Sequence, residues 1–253
     1  PVHWYGDGPF WCVLRHADVA EISRRPRTFS SASGTQIAEI PLRLAGEKFP
    51  MGDAPSIIQM DPPAHNRHRK LVIGAFSPRV VAALEPRMRA LARESIAAIR
   101  PGESFDFVEK IAVPLPMLVI ADLLGVPKSD YEKFRHWSDV MIEAGGSGSR
   151  PETMPIILEL FAYLAEKATE RRVAPREDVL SRIALAEIDG VRLTDPELSI
   201  FAMTLLVAGN ETTRNLITGG TLALLEPDDQ REQFLSQPDV LAPSVEELLR
   251  YVS

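Results

Sequence analysis

The 253-residue chain is 45% hydrophobic and 25% charged, close to the globular average, which excludes a disordered, collagenous or low-complexity protein. Thirty-five acids against 28 bases leave a net charge of −7, so the basic footprint of a nucleic-acid-binding protein is missing and no such partner is expected. The longest apolar runs, 111–121 and 201–209, are far shorter than the ~20 residues of a membrane helix, and a single cysteine, Cys12, excludes an internal disulfide or a multi-cysteine metal site. A soluble cytoplasmic protein without a membrane partner is the expectation.

In chain order, Val2–Tyr5 and Phe10–Leu14 are aromatic and β-branched runs around Gly6-Asp-Gly8, which predicts a hairpin. A short helix is expected over His16–Ser23. The stretch from Ser30 to Gln59 is rich in Ser, Gly and Pro, the composition of a long loop of functional type. Asp61 is placed to cap a helix whose first turn is Pro62-Pro63. Ser77-Pro78 restarts a helix that continues to about Arg100, and Phe105–Val108 has the character of a short strand. Helices are expected at 113–124, 129–144 and 153–172, with the Gly145–Ser149 run as a loop between the last two. The fold class is therefore mostly α with a small β portion.

Thr194-Asp-Pro-Glu197 has the form of a capping box. From there the helical pattern has no breaker until Pro227, which predicts one long central helix over about 194–226, against a mean of ~12 residues. Its stretch Ile200–Ala208 is apolar on nearly every side and is expected to be buried all round. Inside this helix lies Ala208-Gly-Asn-Glu-Thr-Thr213. Gly209 costs ~1 kcal/mol relative to alanine there, a buried carboxylate is worse unless paired or solvated, and consecutive threonines bond back to the preceding turn. At 100° per residue Ala208, Glu211 and Thr212 share a face, suited to a flat group with proton handling beside it. The plainer alternative is close helix packing at Ala208 and Gly209, with Glu211 reaching solvent.

In Asp61-Pro-Pro-Ala-His65-Asn-Arg-His-Arg69, His65 and Arg69 are four apart and project from one helix face. With Arg67, His68 and Lys70 they form a cationic end able to hold carboxylates or phosphates. A solvated basic face is the alternative, and a metal site on His65 and His68 lacks further ligands at suitable spacing. Glu247 and Arg250 are an i, i+3 pair of a kind common on surfaces.

Taken together, these three motifs in this order resemble the bacterial cytochrome P450 monooxygenases, and the likeness extends over the whole chain. The resemblance implies a P450-like fold, with residues 1–253 one partial domain that stops after the Glu247-x-x-Arg250 helix. It implies that His65 and Arg69 bind the propionates of haem b (iron protoporphyrin IX), and that Ala208 and Gly209 are the small pair over the porphyrin. Glu211 and Thr212 match the acid–alcohol pair that delivers the protons for dioxygen cleavage. Glu247 and Arg250 match a buried ion pair that braces the haem-binding core. The expected reaction inserts one atom of dioxygen into a C–H bond of an apolar substrate (a steroid, terpenoid or alkyl chain). Electrons come from NAD(P)H through a ferredoxin-type redox partner.

One departure is large. The family's axial cysteine sits in a loop beyond the Glu-x-x-Arg helix, so no residue here is expected to bind the metal. Cys12, in the N-terminal hairpin, has none of that loop's chemistry around it. A chain that starts at Pro1 and stops at Ser253 thus reads as a fragment, inactive alone. The alternative is a truncated, catalytically incompetent helical binding module. For the pocket, Ile37, Ile40, Leu42, Leu44, Met141, Ile142, Met154 and Ile157 are apolar candidates, although core packing explains most of them equally well.

Overall fold

In the computed structural model, the residues described are 2–6, 10–35, 37, 45–46, 55–147, 152–187, 189–226 and 228–252. Asp7 and Gly8 of the predicted turn, most of the 30–59 segment with Ile40, Leu42 and Leu44, Ser149 of the glycine-rich run and the breaker Pro227 lie outside them.

Strands β1 (Val2–Tyr5) and β2 (Phe10–Val13) pair antiparallel with Trp4 opposite Trp11 and Tyr5 opposite Phe10. The tryptophan rings meet edge-on at 5.1 Å and Tyr5 stacks on Phe10 at 5.0 Å, the cross-strand contacts that stabilise a two-stranded ribbon. The helices are α1 (His16–Ser23), α2 (Ala64–Ala75), α3 (Pro78–Ala97), α4 (Pro114–Leu123), α5 (Tyr131–Ser147), α6 (Met154–Val173), α7 (Val179–Leu185), α8 (Asp195–Leu225), α9 (Asp228–Ser236) and α10 (Leu241–Val252). The mostly helical fold class with a small sheet is what the sequence predicts.

By its internal contacts the chain divides into two units. The first comprises Pro1–Ser77 and Gly148–Met203. Here α7 packs on α6 and on α2, burying Leu160, Leu164, Leu180 and Ile183. The second comprises Pro78–Ser147 and Thr204–Ser253. In it α4 packs against α3 and α5, around Leu91, Met117, Ile120, Phe134 and Trp137.

Four local expectations are corrected. No strand forms at Phe105–Val108. The Asp106 carboxylate instead accepts the Glu109 amide at 3.0 Å and opens a wide helical turn over Val108–Ala112. Helix α5 runs through Gly145 and Gly146 to Ser147, because glycine weakens a helix already under way without ending it. Asp61 does not cap α2 with its side chain: its carboxylate takes the Ser30 hydroxyl and, at 2.9 Å, the Ser31 amide. These bonds, Ser30 first, hold its pKa below the usual carboxylate value. Finally, Ile200–Ala208 is not buried all round. Ala202, Met203 and Leu206 are buried, Leu205 and Val207 are half-buried, and Ala208 is exposed.

Candidate functional site

Helix α8 starts where its sequence says it should. The Thr194 amide and hydroxyl both donate to Glu197 Oε2, at 2.7 and 2.8 Å, and the Glu197 amide returns to Thr194 Oγ1 at 3.4 Å. This reciprocal cap satisfies donors that a helix end otherwise leaves open. Arg172 of α6 holds the same end, with Nε 2.6 Å from Asp195 and further donations to the Leu193 and Ala184 carbonyls.

Further along α8, Ala208, Glu211 and Thr212 are exposed together, on one face as 3.6-residue periodicity requires. The Thr212 hydroxyl donates to the Ala208 carbonyl at 2.8 Å, the back-bond foreseen for this threonine pair. Glu211 has no ion-pair partner among the described residues. Gly209 faces elsewhere: a Cβ there would lie 2.6 Å from Ile120 Cδ1 of α4, so its bareness permits close helix approach. Asn210 is buried and donates to Ser138 of α5.

In the other unit, His65 is half-buried and Arg69 exposed on α2, one helical turn apart. Neither side chain is engaged in a hydrogen bond or ion pair among the described residues, which leaves both free for an external anion. Beside them His68 places Nδ1 3.1 Å from the Ala64 carbonyl and Nε2 3.4 Å from Glu197. Burial pushes the Glu197 carboxyl up, but the bonds from Thr194 and the His68 charge outweigh it and leave its pKa below the usual value. Pro55, Ile57, Val72, Leu193, Ile200 and Phe201 line a small hollow around this pair.

Glu247 and Arg250 of α10 do form their pair, with Nε 2.7 Å from Oε2. The pair is not buried as expected; both side chains are more than half exposed. Helix α10 turns Leu248 and Val252 toward the Gly219–Gly220 step of α8, which leaves its polar side outward.

Sequence reasoning passed over the most buried charge among the described residues. Arg171 is 0% exposed, with Nε 2.6 Å from Asp178 Oδ2, and Asp178 also caps α7 through the Ser181 amide at 2.7 Å. An arginine ahead of an N-cap aspartate was the available signal. A second cluster, Arg87–Asp122–Tyr131, joins α3, α4 and the start of α5, and burial, then Asp122, push the Tyr131 phenol up to about 12.

Among the described residues no group of three or more His, Cys, Asp or Glu could hold a metal ion, and no helix is long and apolar enough to cross a membrane. The pocket candidates separate by burial: Ile157 is core, Met141, Ile142 and Met154 are half-buried, and Ile37 is exposed.

No family model matches the chain. Curated relatives do. It is 36% identical over 97% of its length to the steroid C26-monooxygenase of Mycolicibacterium smegmatis, covering 60% of that protein. It is 38% identical over 96% of its length to the methyl-branched lipid omega-hydroxylase of Mycobacterium tuberculosis, covering 57% of it. The solved cytochrome P450 CYP109Q5 from Chondromyces apiculatus superposes with a TM-score of 0.84 at 37% identity, over 99% of this chain and 61% of that one. The chain thus spans about three-fifths of the length of the proteins it matches. Likeness in sequence and in fold over nearly all of these 253 residues makes the chain a member of the cytochrome P450 family.

Proposed function

We propose that this chain carries the propionate-binding and proton-handling parts of a haem-dependent monooxygenase, one that hydroxylates a C–H bond of an apolar substrate. The observation that carries the reading is the exposed Ala208–Glu211–Thr212 face, with the Thr212 hydroxyl on the Ala208 carbonyl, halfway along the 31-residue helix α8.

The residues present fit haem in part. His65 and Arg69 are unengaged donors on one face of α2, the chemistry that two propionates need. Ala208 presents a surface without bulk and Gly209 lets α8 seat closely on α4. The axial thiolate is not furnished by these residues: Cys12 lies in β2, paired opposite His3. When bound, haem b would supply the iron chemistry that splits dioxygen. What this chain does is hold the propionates at His65 and Arg69 and move protons at Thr212 Oγ1. Glu211 exchanges protons with solvent, as a relay ending in water requires. Glu247 and Arg250 act as a bracing pair, with real weight only where burial removes solvent screening. Electrons reach the haem from NAD(P)H through a ferredoxin-type partner, in the cytoplasm.

The relatives named above, a steroid monooxygenase and a branched-lipid hydroxylase, support a steroid, terpenoid or alkyl substrate. The test is Thr212→Ala in the complete, haem-loaded protein, axial thiolate included. Haem content stays the same, while product formed per reducing equivalent falls about tenfold or more, within the range of general acid–base effects. Unchanged coupling overturns the role. The position of Cys12 favours a second reading, a helical binding module without oxygenase activity. A thiolate-type band in the reduced carbon-monoxide difference spectrum of residues 1–253 eliminates that alternative.

A further inference from the structure

Asn210 stands inside the motif that carries the proposed chemistry, yet faces away from it. At 100° per residue it lies two positions, and so about 160° around the helix, from both Ala208 and Thr212, by the arithmetic of a 3.6-residue turn. It is 1% exposed and its Nδ2 donates to Ser138 Oγ of α5, itself 1% exposed, 72 residues earlier in the chain. The other half of the carboxamide, Oδ1, is buried with no hydrogen-bond partner among the described residues. A leucine here would fill similar space without leaving an acceptor orphaned, so on stability alone Asn210 is a poor choice.

A buried polar pair with one solution confers selectivity of setting. On the N-terminal side of Asn210 this face of α8 is apolar, with Met203 4% and Leu206 1% exposed, while Thr213 and Arg214, one turn after it, are half-buried. An apolar face packs almost equally well in several rotations. Any rotation that parts Asn210 from Ser138 strands two buried polar groups at once. The neighbouring contact agrees: a Cβ on Gly209 would displace Ile120 Cδ1, 2.6 Å away, so the same stretch sits close on α4 as well as on α5.

We infer that Asn210 is a positioning residue: its bond to Ser138 fixes the rotation of α8 that keeps Ala208, Glu211 and Thr212 on the open face. What the open face is for rests on the function proposed above; the rotation does not.

The test reads side-chain accessibility in the full chain, carrying Cys12→Ser. Single cysteines introduced by Ala208→Cys and Leu206→Cys are alkylated with a water-soluble maleimide, and circular dichroism checks folding. The exposed site reacts about 100-fold faster than the buried one, whose reaction waits on local opening. With Asn210→Leu added, the ratio falls below about tenfold while helix content is kept. Ser138→Ala, a smaller change that decides the matter if Asn210→Leu does not fold, lowers the ratio in the same way. Ser138→Thr, which keeps the hydroxyl, restores it. A ratio unmoved by Ser138→Ala, or lost equally in Ser138→Thr, overturns the inference. If the ratio falls while Asn210→Leu, placed in a complete protein that supplies the axial thiolate, leaves product per reducing equivalent intact, the positioning stands and the role of Thr212 fails.

Discussion

Two arginine–carboxylate pairs, one in each unit, have nearly the same geometry and very different surroundings. Arg171 meets Asp178 at 2.6 Å with side chains 0% and 7% exposed, whereas Arg250 meets Glu247 at 2.5 Å with 69% and 60% exposed. The contact distance therefore says little about what each is worth. At the surface, water already solvates both charges and screens their attraction, so forming the pair changes little. In the core, removing Arg171 leaves the buried Asp178 carboxylate with the Ser181 amide but no compensating charge, a costly loss in a poorly solvated site. The His68–Glu197 contact, 17% and 26% exposed, lies between the two.

Mutation should follow that order. Arg171→Ala is expected to cost about 3–5 kcal/mol in urea unfolding, since it strands Asp178 beneath α6 and α7. A loss under 1 kcal/mol would mean that water reaches the pair and the contrast collapses. Glu197→Ala removes the cap of α8 as well as the His68 contact and is expected to cost about 1 kcal/mol at neutral pH. Its pH dependence has a definite sign. The folded-state pKa of Glu197 is lowered from 4.5, so its contribution is complete above that value and is lost as pH falls through the lower folded-state value. The gap between native protein and Glu197→Ala should close on the acid side; a gap constant from pH 7 to pH 3 would show that packing, not charge, carries it. Glu247→Gln, the smallest change, should leave the melting temperature of the 253-residue chain unmoved.

Elements governed by local rules were legible. The capping box at Thr194 predicts the start of α8, the lack of a breaker before Pro227 predicts its length, and the aromatic runs around Gly6 predict the hairpin. Legibility failed where a residue had two outlets. Asp61 could have capped α2 but serves Ser30 and Ser31, and Asp106 turns an apparent strand into a helical turn. Gly145 and Gly146 suggested a break that the preceding turns of α5 override. Pairings over distance, such as His68 with Glu197 or Asn210 with Ser138, depend on which helices meet, and no periodicity within one helix reports that. The motif residues were visible as a set. Which of them face outward was only half visible: Ala208 and Thr212 do, and Gly209 turns to Ile120.

The Thr212 hydroxyl owns a single hydrogen, and in this structure that hydrogen is committed to the Ala208 carbonyl. Toward the open side, then, Thr212 offers lone pairs only: as it rests it can receive but has nothing to give. Any outward donation first demands a swing about χ1, which gives up this side-chain bond while the backbone ladder stays intact, or an incoming hydrogen that frees the one already held. The sidechain is thus a latch with a preferred order of events, arrival before departure.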